Sequence, residues 1–482
     1  MVFSSPLFLF LFLPVVLLGL VQPQLWLRNL WLLAFSIIFY AWGEAVFVFL
    51  MLGSTVLNYC LGIWVDRETK PNRRKLAVTI AIILNIGMLV FFKYANFIVG
   101  NLNALLLPLG LAPLHIEPVR LPIGISFFTF HALSYVIDIY RRKWTSAKNP
   151  ADVALYIFFF PQLIAGPILR WSAIAPQIAN RIVTRDGFAD GIRRFAGGLA
   201  KKMIIANAVA VPADAIFSLP PEQCSASLAW LGVACYTIQI YFDFSGYSDM
   251  AVGLGKMFGF RFLENFDFPY IAQSVTEFWR RWHISLSSWF RDYLYIPMGG
   301  NRVSAARNYF NLLTVFFLCG LWHGASWTFV LWGLYNGAFL IIERGGFGKV
   351  IERLPRPLRH SYLVLVVMVG WLIFRADSLT HIQSMLTNLV GLNHADNTQP
   401  LARYLTKQVL TTMIAGVVFS MPFWSGFKVL LARLCTKLPL KSQNVLSLTG
   451  NYAELLLIVL VLLVSSAWMA GNTYNPFIYY RF

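Results

Sequence analysis

The chain has 482 residues, 58% of them hydrophobic and 12% charged, with a mean hydropathy of +0.63. It holds more apolar runs of about 18 residues or longer than a soluble fold can bury, so it reads as a polytopic membrane protein. Its formal charge of +18 would suit nucleic acid, but the basic residues sit in short loops between apolar runs. That is the distribution of cytoplasmic loops, and it argues for lipid rather than nucleic acid as the neighbour.

In chain order, residues 1–20 and 26–42 are apolar and meet at Gln22-Pro23-Gln24, an expected outer turn. The opening MVFSSPLFLFLFLPVVLLGL lacks a basic n-region and a small-x-small cleavage site, so it is expected to remain as a span. A third span, 45–64, ends in DRETKPNRRK (66–75), whose five Lys/Arg against two acids mark a cytoplasmic loop. The next span, 76–98, returns outward with Lys93 in FFKYANF, a cation that either snorkels to an interface or faces the interior. Residues 99–119 carry no Lys or Arg and read as external. PIGISFFTFHALSYVIDIYRRKW then re-enters and ends in Arg141-Arg142-Lys143 at the cytoplasmic face.

Within 152–169, FFFPQLIAGPILRW holds Pro161, Gly166 and Pro167, which break a regular helix. Broken backbone at membrane depth requires protein or a water-filled cavity around it. A basic amphipathic linker (181–202) leads to spans near 203–219 and 227–251, the second carrying Asp243 and Asp249. Later spans are expected near 308–322, 324–342, 361–375, 408–424 and 453–470, with a polar external loop at 391–400. The expected fold class is an all-α polytopic membrane protein with about 11–13 transmembrane or re-entrant helices. It is expected to form one integral-membrane domain over 1–482, without internal repeats.

The chemistry concentrates in Glu277–Trp332, a basic aromatic segment followed by an apolar helix whose one ionisable group is His323. An ionisable side chain inside an apolar span is a functional candidate by default. His323 is either satisfied by neighbouring helices or a general base, because burial disfavours imidazolium and a base must be neutral. Gly320 and Gly324 permit close approach by a substrate or a helix, and Trp322 with Trp327 would wall a cleft. His283 lies among Arg280, Arg281, Arg291 and several tryptophans. That pattern suits an interfacial helix and equally a cationic cradle for a phosphorylated donor. Asp243 and Asp249 either pair with Lys or Arg or orient a histidine. Cys319 shares a helical face with His323 but reads as a small core residue. The five cysteines, Cys60, Cys224, Cys235, Cys319 and Cys435, show no CxxC and no metal spacing. HxxxxD, HExxH, GxxxxGK[ST] and GxSxG are all absent.

Seven stretches carry a resemblance: MVFSSPLFLFLFLP (1–14), GISFFTFHALSYVIDIYR (124–141), FFPQLIAGPI (159–168), YFDFSGYSDMAVGLGKMFGF (241–260), EFWRRWHISLSSWFRDYLYIPMGGNR (277–302), LWHGASW (321–327) and NPFIYYRF (475–482). Together they resemble the membrane-bound O-acyltransferase (MBOAT) superfamily, in the bacterial branch that O-acetylates exported polysaccharides. The resemblance implies helices around a funnel or tunnel, with His323 as the family histidine and His283 at a second motif position. It also implies acetyl-CoA as acyl donor, with no tightly bound cofactor and no metal. The implied donor contacts are Arg280, Arg281, Arg291 and Trp322, and the implied partner is a periplasmic SGNH-like O-acetyltransferase acting on an exported polysaccharide. The bacterial inner membrane would be its site. FIYYRF (477–482) is similar to the FIYxxF ending of a small subunit of teichoic-acid D-alanylation, which would make Tyr479 an acyl carrier. The alternative for that tail is an aromatic belt closing the last span. A lipid or D-alanyl acyltransferase is a second reading of the chain. A transporter is a third, against which the lack of repeat symmetry counts.

Overall fold

The computed structural model describes residues 1–392, 399–423, 426 and 440–471, with backbone alone at 440–448. Among the described residues the regular structure is helical, with no strand. The N-terminal run passes from a π turn (Phe8–Phe12) through α1 (Leu13–Leu18) to a 3-10 turn (Gly19–Val21). It is followed by α2 (Leu25–Ala41), α3 (Phe47–Arg67), α4 (Pro71–Leu106) and α5 (Ile125–Tyr140). Among the described residues, four helices are long and apolar enough to cross a membrane: Phe47–Arg67, Pro71–Leu109, Arg356–Arg375 and Thr449–Gly471. Shorter apolar helices at Phe8–Val21, Leu25–Ala41, Ile125–Tyr140 and Lys407–Phe419 accompany them. Apolar side chains such as Phe49, Ile83 and Leu456 point outward, as hydrocarbon surroundings allow and water would not. The protein is a multi-pass membrane protein.

Helix α4 starts at Pro71, where a missing N–H costs nothing. Its 36 residues extend about 54 Å, well beyond a hydrocarbon core of about 30 Å. It is joined to α3 by a reciprocal amide pair, Asn58 Nδ2 donating to Asn85 Oδ1 at 3.1 Å and Asn85 Nδ2 to Asn58 Oδ1 at 2.8 Å. Such side-chain pairs hold helices together where lipid offers no hydrogen bonds.

The broken stretch forms α6 (Pro150–Phe158) and α7 (Phe160–Leu163), then an irregular segment leading to α8 (Trp171–Ala179). Residues 155–169 are buried throughout. Two of their polar groups find protein partners: the Tyr156 hydroxyl donates to the Leu169 carbonyl at 2.8 Å, and the Ile168 N–H to Ser285 Oγ at 3.0 Å. This meets the requirement that non-helical backbone at membrane depth be enclosed.

The expected linker at 181–202 is corrected by the fold. It contains α9 (Arg185–Ala200), which leads through a π turn into α10 (Asn207–Phe217) and packs along α11 (Ala226–Met257). Glycines spaced seven apart on each helix make this possible. A Cβ on Gly198 would fall 2.5 Å from the Gly246 carbonyl oxygen, and one on Gly253 would fall 2.6 Å from that of Gly191. Ion pairs seal the interface: Lys202 to Asp243 at 2.5 Å, both buried, and Arg194 and Lys201 to Asp249 at 2.7 Å each. The two aspartates therefore pair with cations of the fold.

The remaining elements are α12 (Val275–Arg281), α13 (Ile284–Phe290), α14 (Ala305–His323), α15 (Trp327–Ile342), α16 (Gly348–Arg353), α17 (Arg356–Arg375), α18 (Leu379–Leu389), α19 (Leu401–Tyr404), α20 (Lys407–Phe419) and α21 (Leu440–Gly471). Helix α12 is capped by Ser274, whose Oγ accepts the Glu277 N–H at 3.0 Å. The buried Glu343 carboxylate accepts the Val275 and Thr276 N–H groups at 2.7 and 2.9 Å. A carboxylate at a helix N-terminus is well placed electrostatically, and here it ties the basic segment to the end of α15.

Candidate active site

His323 is the last residue of α14; the chain leaves the helix at Gly324, and α15 begins after the Ser326 cap. Helices α14 and α15 are pressed together backbone to backbone. A Cβ on Gly320 would meet the Phe329 carbonyl oxygen at 2.3 Å, and one on Gly324 would meet the Phe329 ring at 2.2 Å. The close approach expected at these glycines is thus made by a helix rather than a substrate.

The imidazole of His323 is packed among aromatic rings, with centroids of Trp322, Trp332 and Phe374 at 4.9, 5.0 and 5.1 Å. Its backbone is held from α4. The Tyr94 hydroxyl donates to the Leu321 carbonyl, and Lys93 Nζ donates to the Trp322 carbonyl and, at 3.3 Å, to that of His323. A third Lys93 contact, to Ser126 Oγ, is also 3.3 Å. These donors satisfy terminal carbonyls that a helix leaves open. The expectation for Lys93 resolves in favour of the interior.

His283 interrupts the basic segment. It lies in the left-handed region at φ 45°, ψ 54°, and divides α12 from α13 within the segment read as an interfacial helix or a cationic cradle. The Ile284 N–H donates to the Asn265 carbonyl at 2.9 Å, and His283 Nδ1 lies 3.1 Å from Asn265 Oδ1. That same oxygen accepts the Ser285 N–H at 3.1 Å and the Ser285 hydroxyl at 2.9 Å. Because a backbone N–H can only donate, the amide oxygen of Asn265 must face this cluster. His283 Nδ1 then carries the proton, and in the neutral ring Nε2 holds the lone pair. The His283 ring stands edge-on to Phe244 at 4.7 Å and 6.1 Å from Trp322.

A cavity of about 170 Å³ opens beside this group, lined by Lys93, Gly124, Ser126, Ile164, Trp322 and His323 among others. Behind Trp322 lies a larger apolar cleft of about 610 Å³ between α4, α5 and α14. His323, His283 and Trp322 are therefore brought together, with Trp322 in ring contact with both histidines. The three arginines are not part of this group. Arg280 is exposed, Arg281 pairs with Asp267 at 2.8 Å and Glu277 at 3.0 Å, and Arg291 pairs with Asp292 at 2.7 Å. A second basic cluster, Arg141, Lys143 and Arg170, surrounds the Tyr293 ring at 5.1–5.9 Å. Tyr479 lies outside the described residues. Among the described residues, no group of three or more His, Cys, Asp or Glu could hold a metal ion.

Sequence reasoning missed Lys93, Asn265 and Ser285 as site residues. Lys93 had a signal, a cation within an apolar span. Asn265 had none, because an asparagine in a polar loop looks like any other.

A family model described as MBOAT, membrane-bound O-acyltransferase family, matches residues 145–386. A probable alginate O-acetylase of Azotobacter vinelandii is 42% identical over 100% of both chains. One from Pseudomonas aeruginosa is 48% identical over 79% of this chain and 73% of its own. A peptidoglycan O-acetyltransferase of Helicobacter pylori is 37% identical over 82% of this chain and 80% of its own.

Proposed function

The chain belongs to the membrane-bound O-acyltransferase family, and from that premise we propose that it is the membrane subunit of an exopolysaccharide O-acetylation system of the bacterial inner membrane. It takes acetyl from cytoplasmic acetyl-CoA and passes it to a periplasmic SGNH-like acetyltransferase, which acetylates the exported polymer. Two relatives are named for acetylation of alginate and of peptidoglycan, which supports the polymer class. One observation carries the catalytic assignment: His323 closes α14 on the wall of a cavity, with its imidazole against Trp322, whose ring also faces His283.

In this reading the His323 imidazole takes the proton of an acceptor hydroxyl as that oxygen bonds to the thioester carbon. The carbonyl electron pair moves onto oxygen and returns as the C–S bond breaks. The leaving thiolate takes the proton from the imidazolium, so charge and protons balance. His283, with its lone pair on Nε2, positions the donor or the acceptor. Arg280, Arg281 and Arg291 contribute positive potential where the phosphorylated donor arrives, and Tyr479 is the proposed transient acceptor.

The test is release of free thiol from acetyl-CoA by purified protein in nanodiscs with its partner, wild type beside His323→Ala. Wild type is expected to release thiol, and the variant, folded to the same extent, to lose at least about 100-fold in rate. Equal release by both overturns the role of His323. Release from a carrier-protein thioester, but not from acetyl-CoA, moves the protein to the D-alanyl class.

A further inference from the structure

Lys93 lies outside the stretch that the family model matches, and nothing in the reaction above uses it. Its ammonium sits where cations are rarely kept. It is turned inward from α4, and among the described residues it makes no ion pair with a carboxylate. Its three donors go instead to the Trp322 carbonyl, the His323 carbonyl and Ser126 Oγ. Burying a charge without a counter-ion is costly, so the arrangement calls for a function that repays it. Two features point to one. The carbonyls it binds belong to the last turn of α14, whose final side chain is His323, and the negative end of a helix favours a cation there. Lys93 also lines the cavity on whose wall His323 lies, so its charge faces the space where an acyl group would be attacked.

We propose that Lys93 is a positioning residue for acyl transfer: it clamps the C-terminal carbonyls of α14 to α4, fixes the His323 imidazole on the cavity wall, and gives that wall the positive potential that favours the tetrahedral oxyanion. The inference rests on the acyl-transfer reading for its catalytic half and on geometry alone for the clamp. Lys93 exchanges no proton in this scheme. It acts on the developing negative oxygen through space and on His323 through the backbone. Tyr94, bonded to the Leu321 carbonyl, belongs to the same clamp but brings no charge.

The experiment compares wild type, Lys93→Met and Lys93→Arg as full-length protein in nanodiscs, with two readouts. The first is hydrogen–deuterium exchange of the peptide covering 316–324. Lys93→Met is expected to speed exchange there while leaving α11 unchanged, and Lys93→Arg to retain protection. The second is thiol release from acetyl-CoA with the partner present. Lys93→Met is expected to lower kcat about 100-fold, the loss associated with a small misplacement of a reacting group, with KM little changed. Lys93→Arg should restore most of kcat. Unchanged exchange at 316–324 in Lys93→Met overturns the clamp. Faster exchange throughout the protein reduces Lys93 to a general stabiliser and also overturns it. Faster local exchange with wild-type kcat overturns the catalytic half. If wild type itself releases no thiol, the acetyl-CoA reading is what fails, and the exchange measurement still decides the clamp.

Discussion

At the residue scale, the arrangement around His283 shows how a site depends on a side chain outside the reaction. Asn265 is nearly inaccessible, and its Oδ1 serves three donors at once, two from Ser285 and one from His283. Asn265→Ala would leave the Ser285 N–H and the His283 Nδ1–H without that acceptor in a buried setting, at a cost of about 1–3 kcal/mol. The variant is therefore expected to melt at lower temperature and to turn over more slowly, because His283 is free to take its other tautomer. Melting and turnover indistinguishable from wild type would sink the tautomer argument. His323 was legible in the sequence because an ionisable group in an apolar span is conspicuous. The partners of His283 were not, since Asn265 lies eighteen residues away in sequence and meets it where His283 takes the left-handed conformation. The arginines were legible as charges, but their pairing was not. Their shared segment looked like a cradle, yet Arg281 and Arg291 are occupied by neighbouring carboxylates.

At the element scale, α9 and α11 are the pair whose reading changed most. Charges at Arg185, Asp186, Arg193 and Arg194 gave 181–202 the look of a basic amphipathic linker. In the fold, Arg194 turns to Asp249 and Glu264, while Gly191 and Gly198 press on the glycines of α11. The paired seven-residue glycine spacing was visible in the sequence, but only the contact between the two helices gives it meaning. This leads to a comparison of adjacent substitutions. Gly198→Ala places a Cβ 2.5 Å from backbone oxygen, whereas nothing lies within 4 Å of a Cβ at Gly197. Gly198→Ala is expected to cost about 1–3 kcal/mol through forced separation of the helices. Gly197→Ala should be neutral or stabilising by up to about 1 kcal/mol, as alanine favours helix. Aggregation midpoints on heating in detergent would read both, and equal midpoints would mean that α9 does not pack as closely as described.

At the scale of the whole molecule, the position of the cavity along α4 constrains how the two substrates must arrive. Lys93 is 22 residues from Pro71, or about 33 Å along the helix axis, roughly the thickness of a hydrocarbon core. The basic loop at 66–75 has the composition of a cytoplasmic loop, and with that loop on the cytoplasmic side the cavity lies toward the opposite face. Its rim includes Leu121, Pro122 and Ile123, which follow the stretch without Lys or Arg. A donor held in the cytoplasm must therefore send its acyl arm most of the way across, while an outer acceptor has a short path to His323. Side-specific labelling tests this placement in a cysteine-free background, since Cys60 is exposed and would otherwise react. Leu121→Cys is expected to react with a membrane-impermeant maleimide added outside intact cells. Thr69→Cys, in the basic loop, should react only after the cytoplasmic face is opened. If both react from the same side, α4 does not carry the cavity away from the donor face, and acetyl need not cross the membrane through this chain. Labelling from opposite sides would leave His323 as the point where a cytoplasmic thioester and an external hydroxyl can meet without either carrier crossing.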